Sequence, residues 1–124
     1  MKWMDDFFTI TGAKQTPGII EASLHINPEH PVFNGHFPEL PIVPGVCMLQ
    51  IVLEVIEDQL GIRTFISEAK NLKFVTVLNP QKNNQVSLRV SYTEEDQRLV
   101  VNAVLFEGEL VFFKLVNATL HRLQ

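Results

Sequence analysis

Apolar and polar residues alternate along much of this chain with a period of two. Ile20, Ala22, Leu24 and Ile26 are separated by Glu21, Ser23 and His25, which places the apolar side chains on one face of an extended segment and predicts a strand over residues 18 to 27. Val86, Leu88, Val90 and Tyr92 alternate in the same way with Ser87, Arg89, Ser91 and Thr93, and Glu94-Glu95-Asp96 supplies polar turn material after them. Runs at about 66 to 78, 97 to 107 and 109 to 121 are rich in Val, Phe, Leu and Thr, with Asn79-Pro80 and Glu107-Gly108 as breaks. The C-terminal half therefore reads as an antiparallel meander.

One segment has a different character. From Pro44 to Leu60 the chain has neither Gly nor Pro after Gly45, and Gly61 closes it, the signature of a single helix. Between Val46 and Ile56 every residue is apolar except Gln50 and Glu54, so the helix is hydrophobic nearly all round and is expected to be wrapped by other structure. One buried helix with five or six antiparallel strands predicts an α+β domain whose sheet curls around the helix.

Size and charge narrow the function classes. A chain of 124 residues has the length of one domain, here residues 1–124. With 46% hydrophobic and 19% charged residues it can bury a core. A formal charge of −4 lacks the basic footprint of nucleic-acid binding. The most apolar run, Val43 to Ile56, is interrupted by Gln50 and Glu54 and is too short to span a membrane. The acidic start, with Asp5 and Asp6, does not resemble an export signal. The single cysteine, Cys47, rules out an internal disulfide and fits a cytoplasmic protein.

Gln50 and Glu54 stand four residues apart, on one helix face and about 6 Å apart along its axis. Burying a polar group without a partner costs roughly 1 to 3 kcal/mol. Two of them on an apolar helix therefore imply either hydrogen-bonded structural roles or a polar site. Prolines and glycines are concentrated just before this helix, between Pro28 and Gly45, in a stiff loop that leads directly into it.

Gly35-His36-Phe37-Pro38, then Pro41-Ile42-Val43-Pro44-Gly45-Val46 and an apolar helix, resembles the signature of the 3-hydroxyacyl-acyl-carrier-protein dehydratase family. Asn71-Leu72-Lys73-Phe74 and Asn79-Pro80 extend the similarity more loosely over nearly the whole chain. The resemblance implies a hot-dog fold, an antiparallel sheet around one long central helix. It implies a homodimer or an oligomer of dimers, in which His36 of one chain faces the helix of its partner. It also implies a fatty acyl thioester delivered by an acyl carrier protein, and loss of water from a 3-hydroxyacyl thioester to give the trans-2-enoyl thioester. His36 is then the catalytic residue, with Gly35, Phe37, Pro44, Gly45 and Val46 around the substrate.

Removing a proton next to a thioester carbonyl needs a base of near-neutral pKa, which an imidazole supplies, and stabilisation of the resulting negative charge. The helix start at Gly45-Val46 offers free N–H groups and the positive end of the helix dipole for the second task. The family's helix carboxylate falls on Gln50, which can hold a hydroxyl or a water but has no proton to give. Glu54, one turn later, is then the candidate acid.

A non-catalytic acyl-binding subunit of a mixed dimer and a hot-dog thioesterase are the rival readings. His30 and His36 lack a third ligand at a recognisable spacing, and no metal or cofactor is assigned. Cys47 is expected to be a small buried hydrophobe and not a nucleophile. An acidic carrier would need a local cationic cluster on this acidic chain, such as Lys70, Lys73, Lys82 and Arg89.

Overall fold

In a computed structural model, which describes residues 6–34 and 42–123, the alternating segments form strands of one antiparallel sheet. In chain order the elements are β1 (Phe8–Thr16), β2 (Ile19–Ile26), a 3-10 turn (Pro31–Asn34), α1 (Gly45–Leu60), β3 (Thr64–Phe74), β4 (Gln85–Glu95), β5 (Arg98–Glu107) and β6 (Leu110–Arg122). Their order across the sheet is β1-β2-β4-β5-β6-β3. The result is the α+β hot-dog architecture that the resemblance implied.

Two elements depart from the sequence reading. β1 lacks a strong alternating pattern because most of its residues are exposed, and its strand conformation comes from edge pairing with β2, from Phe8 opposite Ile26 to Thr16 opposite Ile19. β3 ends at Phe74, short of residue 78, and pairs with β6 instead of β4. The meander therefore comprises β4, β5 and β6 only, with β3 on the far edge. A 16-residue helix precedes β3; its length of about 24 Å lets the chain pass four strand spacings of about 4.8 Å to that edge.

The helix is positioned by one stripe. Cys47, Met48, Ile51, Val52, Val55 and Ile56 are buried in one core with inward residues such as Leu24, Leu88, Val101, Leu105, Phe113 and Leu115. Among the described residues no polar or charged residue is fully buried, so burial of apolar area is the main stabilising term. Pro44 precedes the helix in extended conformation, and Gly61 ends it in the left-handed region at φ 65°, its N–H donating to the Glu57 carbonyl. The Glu57 carboxylate accepts the Thr64 N–H at 2.6 Å and so ties the helix end to the start of β3.

The expectation of a helix wrapped all round is corrected. Val46 is 64% exposed, and Leu49, Gln50, Leu53 and Glu54 are only half-buried. One sheet can cover one side of a helix, and the opposite apolar side needs something else. Among the described residues no helix is long and apolar enough to cross a membrane.

Ile51 is fully buried, and Ile51→Ala is expected to lower unfolding free energy by about 2 to 5 kcal/mol in urea denaturation. Gly61→Ala, which places a side chain at positive φ, is expected to lower it by about 1 kcal/mol.

Candidate active site

The site is built around the start of α1. The Pro44 carbonyl accepts the N–H groups of both Cys47 (3.0 Å) and Met48 (3.2 Å). Among the described residues the N–H groups of Gly45 and Val46 have no acceptor, so two donors remain at the positive end of the helix. Sequence reasoning assigned Gly45-Val46 this role, and the structure identifies these two N–H groups as the unused ones.

Gly45 packs closely against Phe74. A Cβ built there would lie 2.6 Å from Cε1 of Phe74, closer than non-bonded carbons approach. The Phe74 ring also packs on Phe113 at a centroid distance of 5.3 Å. Beside this contact opens a mainly apolar cavity of about 330 Å³, lined by Ile42, Val43, Gly45, Met48, Phe74 and Val77 among others. Phe74 was not singled out from the sequence as a site residue. Its only signal was a position at the end of a loosely matched segment, and its contact with Gly45 exists only after the chain crosses to the far edge.

Val46, Gln50 and Glu54 recur every four residues and form one stripe on the side of α1 turned away from the buried stripe. Gln50 Nε2 donates to Glu54 Oε2 at 3.1 Å. The two polar residues thus form a mutually bonded, half-buried pair, one to two turns beyond the free N–H groups. Gly35, His36 and Phe37 lie outside the described residues.

The described residues on both sides of 35–41 are anchored. Phe33 is buried and packs against Phe7 at 5.7 Å, while the Val43 N–H donates to the Leu78 carbonyl at 2.8 Å. His30 has a structural role: its Nδ1 accepts the Val32 N–H at 3.0 Å and its ring meets Phe7 edge-on at 5.2 Å.

The sequence matches the ApeI-like family, described as ApeI dehydratase, over residues 12–110. The chain belongs to the ApeI-like dehydratase family. Solved structures share the fold. The dehydratase heterocomplex ApeI:P from Xenorhabdus doucetiae is similar at TM-score 0.70 and 20% identity, over 94% of this chain and 97% of that one. A mutant of a thioesterase enzyme from Staphylococcus aureus subsp. aureus Mu50 is similar at TM-score 0.65 and 11% identity, over 100% of both chains. The dehydratase domain of the polyketide PpsC from Mycobacterium tuberculosis is similar at TM-score 0.59 and 19% identity, over 93% of this chain and 44% of that one. At these identities the structural likeness establishes the fold. The dehydratase assignment comes from the ApeI-like family match.

In this ApeI-like chain Cys47 is buried, and burial pushes its thiol up from the ordinary 9.0 because the low-dielectric interior disfavours the thiolate. A raised folded-state value means that the contribution of this group to stability is complete below 9.0 and is lost as pH rises through the raised value. Wild type is therefore expected to lose more stability than Cys47→Ala on moving above that pH, read by urea midpoints. Native Cys47 is also expected to react with a thiol reagent far more slowly than the unfolded chain.

Proposed function

We infer that this chain removes water from a 3-hydroxyacyl thioester to give the trans-2-enoyl thioester, the fatty acyl group being delivered by an acyl carrier protein. The observation that carries the reading is the helix start, where two unused N–H groups and an apolar cavity lie one to two turns before a polar pair. An acyl-thioester site needs these parts together: donors for a thioester oxygen, an apolar space for the chain, and polar groups for the departing hydroxyl.

In this reading His36 takes the proton next to the carbonyl. Negative charge then gathers on the thioester oxygen and is held by the N–H groups of Gly45 and Val46 and by the helix dipole. The carbon–oxygen bond at the 3-position breaks as the double bond forms, and the hydroxyl leaves as water after receiving a proton. Gln50 has no proton to transfer but can hold the hydroxyl in place. Glu54, bonded to Gln50 at 3.1 Å, supplies the proton through an intervening water. Gly35 and Phe37 flank the base, and Pro44 sets the entry of the helix.

The half-exposed apolar side of α1, with Val46, Leu49 and Leu53, supports assembly into a dimer in which a second subunit covers it and presents its own His36 loop. A second reading is a non-catalytic, acyl-binding partner in a mixed dimer. It is favoured by Gln50 at the family's carboxylate position and by a fold likeness to a structure described as a dehydratase heterocomplex. The thioesterase reading draws only on shared fold. A cytoplasmic setting is consistent with the one free cysteine.

Interconversion of carrier-linked 3-hydroxyacyl and 2-enoyl thioesters, followed by absorbance in both directions, tests this assignment. His36→Ala is expected to abolish it, and Glu54→Gln to slow it by about a hundredfold or more. Rates that persist in Glu54→Gln would remove Glu54 from the mechanism. Silence in wild type with activity restored by Gln50→Glu would favour the partner-subunit reading. Leu53→Glu, which puts a charge on the half-open apolar side, is expected to halve the mass measured by light scattering.

A further inference from the structure

Among the described residues three side chains accept the N–H of the residue two positions on. Asn27 Oδ1 accepts from Glu29 at 2.9 Å, Asn79 Oδ1 from Gln81 at 2.9 Å, and His30 Nδ1 from Val32 at 3.0 Å. The first two are an ordinary use of asparagine, whose amide oxygen accepts at any pH. The third uses an imidazole, which accepts only while it is neutral. A backbone N–H can only donate, so Nδ1 of His30 carries a lone pair and the ring proton sits on Nε2. A second proton would set an N–H against the Val32 N–H and turn this bond into a contact between two donors. Of the three acceptors His30 alone is of a type that acid near neutral pH switches off.

The rest of His30 serves the same turn. Its N–H donates to the Asn27 carbonyl at 3.3 Å, and its carbonyl accepts the Phe33 N–H at 3.1 Å, which opens the 3-10 turn Pro31–Asn34. Its ring meets the edge of Phe7 at 5.2 Å, and Phe7 packs on the buried Phe33 at 5.7 Å. The half-buried ring borders a hollow of about 650 Å³ shared with Asp6, Thr9, His25, Asn27 and Pro31, which gives a cationic ring an exit toward water. Among the described residues the charged or titratable groups that bear on it are Asp6 and His25 around this hollow and Glu29 beside it in the chain. The two carboxylates attract a cationic ring, and a cationic His25 repels it.

We propose that His30 is a positioning residue: its neutral ring holds the turn that leads into Gly35-His36-Phe37-Pro38, and its protonation releases that turn and slows turnover as pH falls. The proposal rests on the reading that this chain dehydrates a thioester through His36. The covalent link is short, since Asn34 directly precedes Gly35. A misplacement of about 1 Å at a reacting group can cost about a hundredfold in rate, so the hold on this turn bears on where the base stands. Activity then needs two neutral imidazoles, His36 to take the substrate proton and His30 to keep the Val32 bond. Acid removes both, and the loss at His30 acts on the turn without touching substrate.

The test is nuclear magnetic resonance and kinetics on the full-length protein across pH. At neutral pH the His30 ring is expected to show a bare Nδ1 and a protonated Nε2. On acidification the protection of the Val32 N–H from exchange, corrected for the intrinsic rate, is expected to fall at least about tenfold, while that of Gln81 stays level. His30→Asn, which keeps an acceptor two residues before Val32, is expected to hold that protection at every pH. His30→Phe, which keeps a ring against Phe7 without an acceptor, is expected to lose it at every pH. The same variant is expected to lower kcat/KM for the 3-hydroxyacyl thioester at neutral pH by roughly tenfold or more, most of which His30→Asn recovers. On the acid side kcat/KM is expected to fall with two protons in wild type and with one in His30→Asn. A protonated Nδ1 at neutral pH, Val32 protection indifferent to acid, or an acid limb in His30→Asn identical to that of wild type would overturn the proposal. A turn released by acid in a protein that turns over no thioester would uphold the hold of His30 on the turn and remove the dehydratase chemistry instead.

Discussion

Burial of one stripe of α1 against the inner face of the sheet is the constraint on which the rest of the molecule depends. Cys47, Met48, Ile51, Val52, Val55 and Ile56 recur at helical spacing and are removed from water together, and the hydrophobic gain from that contact sets the rotation of the helix. Once that rotation is set, Val46, Gln50 and Glu54 must lie on the other side. The polar pair is therefore a consequence of how the apolar stripe packs. Gln50 donates to Glu54 there, in a setting that is only half-buried.

The same packing exposes the start of the helix. Pro44 stops the chain from extending the helix backwards, and its carbonyl takes up the N–H groups of Cys47 and Met48. What remains is a pair of donors at Gly45 and Val46, in a region where the Phe74 ring lies in the space that a side chain at position 45 would enter. Glycine here serves packing as much as access: the ring of Phe74 occupies the volume a Cβ would need. Because Phe74 is 58% exposed, the ring is also the movable part of that contact, while the backbone on either side is held by pairing with β6.

The sheet has two faces with different patterns. Its inner face is a continuous apolar surface. Its outer face is patterned by register alone, since no sequence-adjacent group brings Lys14, Glu21, Arg89, Val104, Lys114 and Lys73 into line. A bulge near Asn117, whose N–H is accepted by Asn102 Oδ1 at 3.1 Å, lets β6 turn both Leu115 and Ala118 inward. Without that shift of parity, the inward alternation of Phe113 and Leu115 would not continue into Ala118 and Leu120.

By itself the sequence determined the elements whose signal is local. The two-residue alternation of Ile20–Ile26 and Val86–Tyr92, the helix bounded by Pro44 and Gly61, and the glycine- and proline-rich entry that carries the family resemblance were all legible, because each depends on neighbours within a few residues. Tertiary structure alone decided what depends on distant partners. β1 is a strand because β2 offers it an edge, β3 joins β6 because the helix carries the chain across, and the helix is open on one side because one sheet covers one stripe. The contact of Phe74 with Gly45 and the alignment of Lys73 with Lys114 follow from that crossing. Strand register and order are set by hydrogen bonding between segments remote in the chain, and residue spacing along a single strand carries no information about it.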